Sequence, residues 1–143
     1  NNDLFQGRLK VNDQTIALSD IELPTFVVAT ETDHVAPWRS VYKINLAISG
    51  DITFLLTSGG HNAGITSEPG HPRRHYKIGL CPHADRYTDP EAWLQVAHYV
   101  EGSWWPAWTA WLERAQSQHA ATQIAEPVMQ ELPAAPGDYV LQK

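Results

Sequence analysis

The chain has a single cysteine, few basic residues and no long apolar run, and each shortage closes off a class of protein. A lone Cys81 rules out an internal disulfide and fits a reducing compartment, so a cytoplasmic protein is expected. Ten Lys and Arg stand against sixteen Asp and Glu, for a formal net charge of −6. No basic stripe is left to neutralise phosphates, which argues against a nucleic-acid partner. The apolar stretches fall far short of the roughly 20 residues that a membrane-crossing helix needs, so no transmembrane segment is expected. No secretory leader opens the chain, and its start at Asn1 without Met suggests a piece of something longer.

What is present is 143 residues, enough for one modest domain with a real core, and six tryptophans. Leu4, Phe5 and Leu9 read as the end of an apolar helix broken near Gly7. LKVNDQTIAL reads as a hairpin turning on Asn12 and Asp13. PTFVVATET (24–32) has the composition of a fully buried strand. From Pro37, WRSVYKINLAI places Val41, Ile44 and Ile48 on one helical face, and ITFLLTSG (52–59) is a second buried strand. Strand, helix and strand follow with loops short enough for a right-handed parallel crossover, which makes the fold class α/β.

Residues 66–88 are rich in Pro, Gly and His and read as a loop excursion rather than a core element. DPEAWLQVAHYV (89–100) restarts a helix with Asp89 as N-cap, and SWWPAWTAWLERAQSQ begins another, capped by Ser103. Together, 1–65 form a sheet core, 66–88 the excursion, 89–125 a helical extension and 126–143 an extended, Pro-rich tail.

The two buried strands end alike. The first delivers Asp33, and the second delivers His61 within TSGGHNAG. Open parallel sheets carry their chemistry at the carboxyl ends of strands, and the interval between these residues holds one helix and one strand. Both side chains therefore belong on one edge of adjacent strands. Gly59, Gly60 and Gly64 permit a sharp turn that leaves the imidazole unshielded. A carboxylate so placed fixes the histidine tautomer and stabilises the imidazolium that forms on proton uptake. Either residue alone reads as a helix cap or a loop histidine; matched placement at two strand ends favours catalysis. His34 reads as a structural neighbour of the acid.

No nucleophile precedes Asp33, because nothing there resembles a G-x-S-x-G elbow or its cysteine version. GLCPH around Cys81 is half such a pattern, but Pro82 has no N–H to offer an oxyanion, so Cys81 reads as a loop thiol. His71, His75, His83 and Asp85 do not show structural-zinc spacing, and neither a metal site nor a cofactor is expected.

Four stretches, ELPTFVVATETDHVAPWRSVY, TSGGHNAG, GSWWPAWTAWL and APGDYV, together resemble the carboxyl-terminal part of poly(3-hydroxyalkanoate) synthases. The resemblance implies the C-terminal strand–helix units of an α/β-hydrolase parallel sheet with a mostly helical C-terminal extension. It implies a cysteine-dependent acyltransferase that joins 3-hydroxyacyl groups from coenzyme A thioesters into a polyester, in the cytoplasm or at the polyester granule surface. Asp33 matches the family's catalytic aspartate and His61 its catalytic histidine. The family's nucleophilic cysteine lies upstream, in sequence not held here, so the chain alone is expected to be inactive. The implied partners are 3-hydroxyacyl-coenzyme A, the growing polyester, the upstream part of the same synthase and, by association of an incomplete sheet, a second copy. The rival readings are another α/β-hydrolase, such as a thioesterase or depolymerase, and a non-catalytic granule-binding or dimerisation module. Trp104, Trp108 and Trp111 share a helical face that reads first as core packing and second as a greasy platform for polymer.

Overall fold

In a computed structural model, residues 2–84, 86–118, 135 and 137–142 are described. A hairpin opens the fold, β1 (Leu9–Val11) pairing antiparallel with β2 (Gln14–Ile16). Asn12 and Asp13 connect them at φ 47° and 62°, the left-handed pair that a tight two-residue hairpin requires and that Asn and Asp tolerate. Residues 3–7 form turns rather than the end of a helix.

Four strands make the main sheet: β3 (Thr25–Thr30), β4 (Ile52–Thr57), β5 (His75–Cys81) and β6 (His98–Glu101), in the order β3-β4-β5-β6. β3 and β4 are parallel, with Thr25 opposite Ile52 and Thr30 opposite Thr57. Between them run helix α1 (Trp38–Tyr42) and a 3₁₀ turn, Lys43–Leu46. The expected parallel pair is present, but the sheet is mixed, because β5 and β6 each pair antiparallel with their neighbour.

The alternation of β4 builds a core on each face. Ile52, Phe54 and Leu56 pack with Trp38, Tyr42 and Trp93 on one side, under α1 and helix α2 (Pro90–Val96). Leu55 packs with Tyr76 and Trp104 on the other, under helix α3 (Trp105–Gln118). Both faces are covered, which is why β4 reads as an unbroken apolar run.

The loop expected over residues 66–88 needs correction, since β5 lies within it as an inner strand of the sheet. Its polar and glycine residues hid it, and each has a packing reason. Lys77 sends Nζ to the Leu94 carbonyl at 2.9 Å, capping the end of α2. Gly79 lies under the Trp93 indole, where a Cβ would come within 2.8 Å of Nε1. The helix expected over 89–100 also divides. Asp89 caps α2 by accepting from the Ala92 N–H at 3.0 Å, but Ala97 leaves the helix at ψ 135° and the chain continues as β6. The extension is therefore helix, strand, helix. The expected helix over 119–125 and most of the tail from 126 lie outside the described residues; the tail's described end holds a 3₁₀ turn, Tyr139–Leu141.

Candidate active site

Parallel pairing in register carries the ends of β3 and β4 to one rim, and the chain leaves both there in tight turns. Past β3, the Asp33 N–H reaches back to the Thr30 carbonyl, and the side chain then organises the turn into α1. Its Oδ1 accepts from the N–H groups of Val35 and Ala36, both at 2.8 Å. Past β4, Gly60 accepts from the Gly64 N–H at 2.9 Å, closing a turn with His61 inside it.

His61 Nδ1 lies 2.8 Å from Asp33 Oδ2. The carboxylate is 7% exposed and the imidazole 48% exposed, so the acid is screened behind a base that meets solvent. The Asp33 carboxyl is held down at about 2, first by the Ala36 N–H, against the opposing effect of burial, and then by His61 and the Val35 N–H. A charged carboxylate can only accept, so Nδ1 must carry the proton and Nε2 presents its lone pair outward. Nε2 makes no hydrogen bond among the described residues. The pair is arranged to take a proton at His61 Nε2 and to stabilise the resulting cation.

Two glycines make this packing possible. A Cβ on Gly64 would stand 2.5 Å from Thr30 Cγ2, and one on Gly59 (φ +106°) would stand 2.8 Å from Arg74 Nη1 and 3.0 Å from the Gly64 backbone. Thr30 in turn points its hydroxyl at Asp33 Oδ2, 3.4 Å away, so the histidine turn packs on the residue that backs the acid.

Other residues singled out in the sequence go elsewhere. His34 is exposed and makes no side-chain hydrogen bond among the described residues. Cys81 ends β5 opposite Ile52, at the far end of β4 from His61; the five residue steps from Ile52 to Thr57 put it about 17 Å along the strand from the end that leads to the histidine. Burial pushes its thiol up, against a weaker opposing contact from the Tyr42 hydroxyl. His75 sits at one end of β5, beside Glu31 at 3.3 Å and stacked on Tyr99, whereas the His83 N–H at the other end bonds Asp51. No group of three or more potential ligands capable of holding a metal occurs among the described residues, and Asp85 lies outside them.

The sequence pattern does not reveal what the tryptophan run touches. Trp104 is buried, 7% exposed, and gives its indole N–H to the Gly64 carbonyl at 3.0 Å. Trp105 Nε1 reaches the Ile65 carbonyl at 3.0 Å, and the Ser103 hydroxyl donates to the Ser67 carbonyl. Trp111 packs on Phe26, with ring centroids 5.5 Å apart, while Trp108 and Leu112 face outward. An apolar stripe at helical spacing signals burial, but nothing in it signals which carbonyls the indoles will meet.

No protein-family model matches the chain. Among curated proteins it is 32% identical over 139 residues to the poly(3-hydroxyalkanoate) polymerase subunit PhaC of Rhizobium meliloti, covering 97% of this chain and 22% of the relative. It is 36% identical over 137 residues to poly(3-hydroxyalkanoate) polymerase 2 of Ectopseudomonas oleovorans, covering 94% and 24%. The PhaC subunit of Cupriavidus necator is 31% identical over 140 residues, covering 96% and 23%. The chain thus spans under a quarter of the length of these relatives. Over the stretch it covers, it is a member of the poly(3-hydroxyalkanoate) polymerase family.

Proposed function

We propose that the chain is the carboxyl-terminal part of a poly(3-hydroxyalkanoate) synthase with an α/β-hydrolase core, and that it supplies the acid and base of a Cys-His-Asp triad. The observation that carries this reading is the 2.8 Å contact between Asp33 and His61 at one rim of a parallel strand pair. The order acid, then histidine, matches the end of the α/β-hydrolase order, in which the nucleophile comes first. Cys81 is unsuited to the third role by its position and by its raised thiol. The nucleophile then comes from the remainder of the synthase. The outer edge of β3 has no strand partner among the described residues, and we read it as the place where the rest of the sheet attaches.

In this reaction His61 Nε2 takes the proton of the cysteine thiol, and the thiolate attacks the thioester carbonyl of a 3-hydroxyacyl-coenzyme A. The tetrahedral adduct collapses to an acyl-cysteine, and the departing coenzyme A thiolate recovers the proton from the imidazolium. The 3-hydroxyl of another unit then attacks the acyl-cysteine, giving its proton to His61 as the ester bond forms and the thiolate leaves. Asp33 steadies the imidazolium at both transfers. No helix among the described residues is long and apolar enough to cross a membrane. The outward Trp108 and Leu112 are the face we assign to granule contact.

The test is release of coenzyme A from 3-hydroxybutyryl-coenzyme A, followed with a thiol reagent. The chain alone should release none. The intact synthase should turn over, and Asp33→Asn should lower its turnover on the order of 10⁴-fold. Sustained release by the isolated chain, or less than a tenfold loss in the variant, overturns the reading.

A further inference from the structure

The tripeptide Ser103-Trp104-Trp105 makes three hydrogen bonds to the segment just past His61, and the proposed chemistry uses none of them. Its donors reach the carbonyls of Gly64, Ile65 and Ser67, so three of the four carbonyls from Gly64 to Ser67 are taken by the start of α3 and the two residues before it. The Trp104 bond is buried, where a lost partner leaves a desolvated carbonyl. Ser103 Oγ also accepts from the Trp105 N–H, which fixes the direction in which the hydroxyl donates.

Gly64 is the junction. Its N–H closes the turn around His61 through the Gly60 carbonyl, its Cα lies against Thr30 beside Asp33, and its own carbonyl is the one Trp104 holds. The His61 side chain is half exposed and has one polar partner, so side-chain packing alone does not set its orientation. Its aim depends on the backbone turn, and the turn is closed from outside by α3.

We infer that Trp104, with Trp105 and Ser103, is a positioning residue for His61: the indole N–H groups lock the turn so that the imidazole stays on Asp33 with Nε2 directed outward. This rests on the synthase reading for its rate effect, though not for its geometry. Packing is the rival account, because Trp104 also fills the core beside Leu55 and Tyr76. Trp→Phe removes the N–H and part of the ring, so stability falls on either account, and the two separate on whether the His61 contact with Asp33 moves with it.

The experiment compares Trp104→Phe, Trp105→Phe and the double variant by two readouts. In the chain with ¹⁵N-labelled histidine, the hydrogen-bonded Nδ1 proton of His61 gives a downfield signal that Asp33→Asn abolishes. The variants should weaken that signal and speed its exchange with water, most in the double variant. In the intact synthase, Trp104→Phe should lower kcat by about 10- to 100-fold with KM within twofold, the scale expected when a reacting group is displaced by about 1 Å. The pH dependence of kcat should shift with it. An unchanged Nδ1 signal together with kcat within twofold in both single variants overturns the inference, even if stability falls. If the double variant does not fold, the single variants decide. If Asp33→Asn leaves turnover intact, the synthase reading fails, and the Nδ1 signal still judges the positioning role.

Discussion

The two ends of β4 each hold a pair of titratable side chains, and the pairs are opposite in character. At the carboxyl end, peptide N–H groups and an imidazole converge on Asp33 and hold its carboxyl down at about 2. At the amino end, Cys81 and Tyr42 lie 3.8 Å apart among Ile52, Ile48 and Trp93, and burial raises both of them. One end is lined with dipoles that favour charge, and the other with hydrocarbon that penalises it. The same strand thus ends in an acid–histidine pair at one rim and in a buried thiol–phenol pair at the other. The difference lies in the loops: an Asp followed by free N–H groups and a histidine set among glycines can build the first, while Tyr42 folded over the end of β5 builds the second.

The sharpest way to break this contrast is to alter both ends in one assay. In the intact synthase Asp33→Asn should cost on the order of 10⁴ in turnover, whereas Cys81→Ser should leave turnover within twofold. Iodoacetamide should also label Cys81 more slowly than a free cysteine at pH 8, because its thiolate is disfavoured. A comparable loss from both substitutions would erase the distinction between the ends. Next in size is the side chain between them. Phe54 is fully buried, edge-on to Tyr42 at 4.8 Å and to Trp93 at 5.0 Å. Phe54→Ala should cost about 3–5 kcal/mol in urea denaturation. It should loosen the Cys81 end first, since Tyr42 and Trp93 would close on the cavity while the dyad hangs from backbone turns. Faster alkylation of Cys81 with an unchanged His61 signal would confirm that order.

Why was one end legible and so much of the middle not? TFVVAT and ITFLLT are apolar on both faces, and that pattern belongs to strands covered on both sides. Their parallel pairing and the meeting of Asp33 with His61 followed from chain order alone. β5 carries no such signature. His75, Lys77 and Gly79 occupy the face under α2, and each is there for a partner distant in sequence: Glu31, the Leu94 carbonyl and the Trp93 ring. The α2 pattern ran on into β6 because Ala97 changes backbone region with no Gly or Pro to mark it. Local rules read elements whose environment is uniform. They fail where a residue answers to one specific contact.

Acid offers a gentler test. Asp33 has a folded value of about 2, against about 3.9 in an unfolded chain. A depressed carboxylate contributes stability that is fully present above the unfolded value and is lost as pH falls through the folded one. The chain should therefore weaken between about pH 4 and pH 2, and Asp33→Asn should flatten that part of the curve. Cys81→Ser should leave it unaltered. Denaturation midpoints at pH 5, 4, 3 and 2.5 would show the difference, and parallel curves for Asp33→Asn and the parent would remove Asp33 from the account.

The smallest expected effect is that of Trp108 on α3, set against Trp104, the residue just before the helix. Trp104 and Trp108 are four residues apart and face the same way along the helix, with ring centroids 6.2 Å apart. Their surroundings differ, as Trp104 is 7% exposed and holds the Gly64 carbonyl, while Trp108 is 43% exposed and makes no side-chain hydrogen bond among the described residues. Trp104→Ala should cost about 3–5 kcal/mol and disturb the His61 signal, because it removes a large ring and leaves a buried carbonyl unpaired. Trp108→Ala should cost less, about 1–2 kcal/mol, since nearly half of the residue is already in water. Its effect should appear in sedimentation with polyester granules, where the outward face of α3 is the surface in question. Granule binding that survives Trp108→Ala together with Leu112→Ala would leave that face without a role in granule contact, and a stability loss as large as that of Trp104→Ala would show that both rings belong to the core.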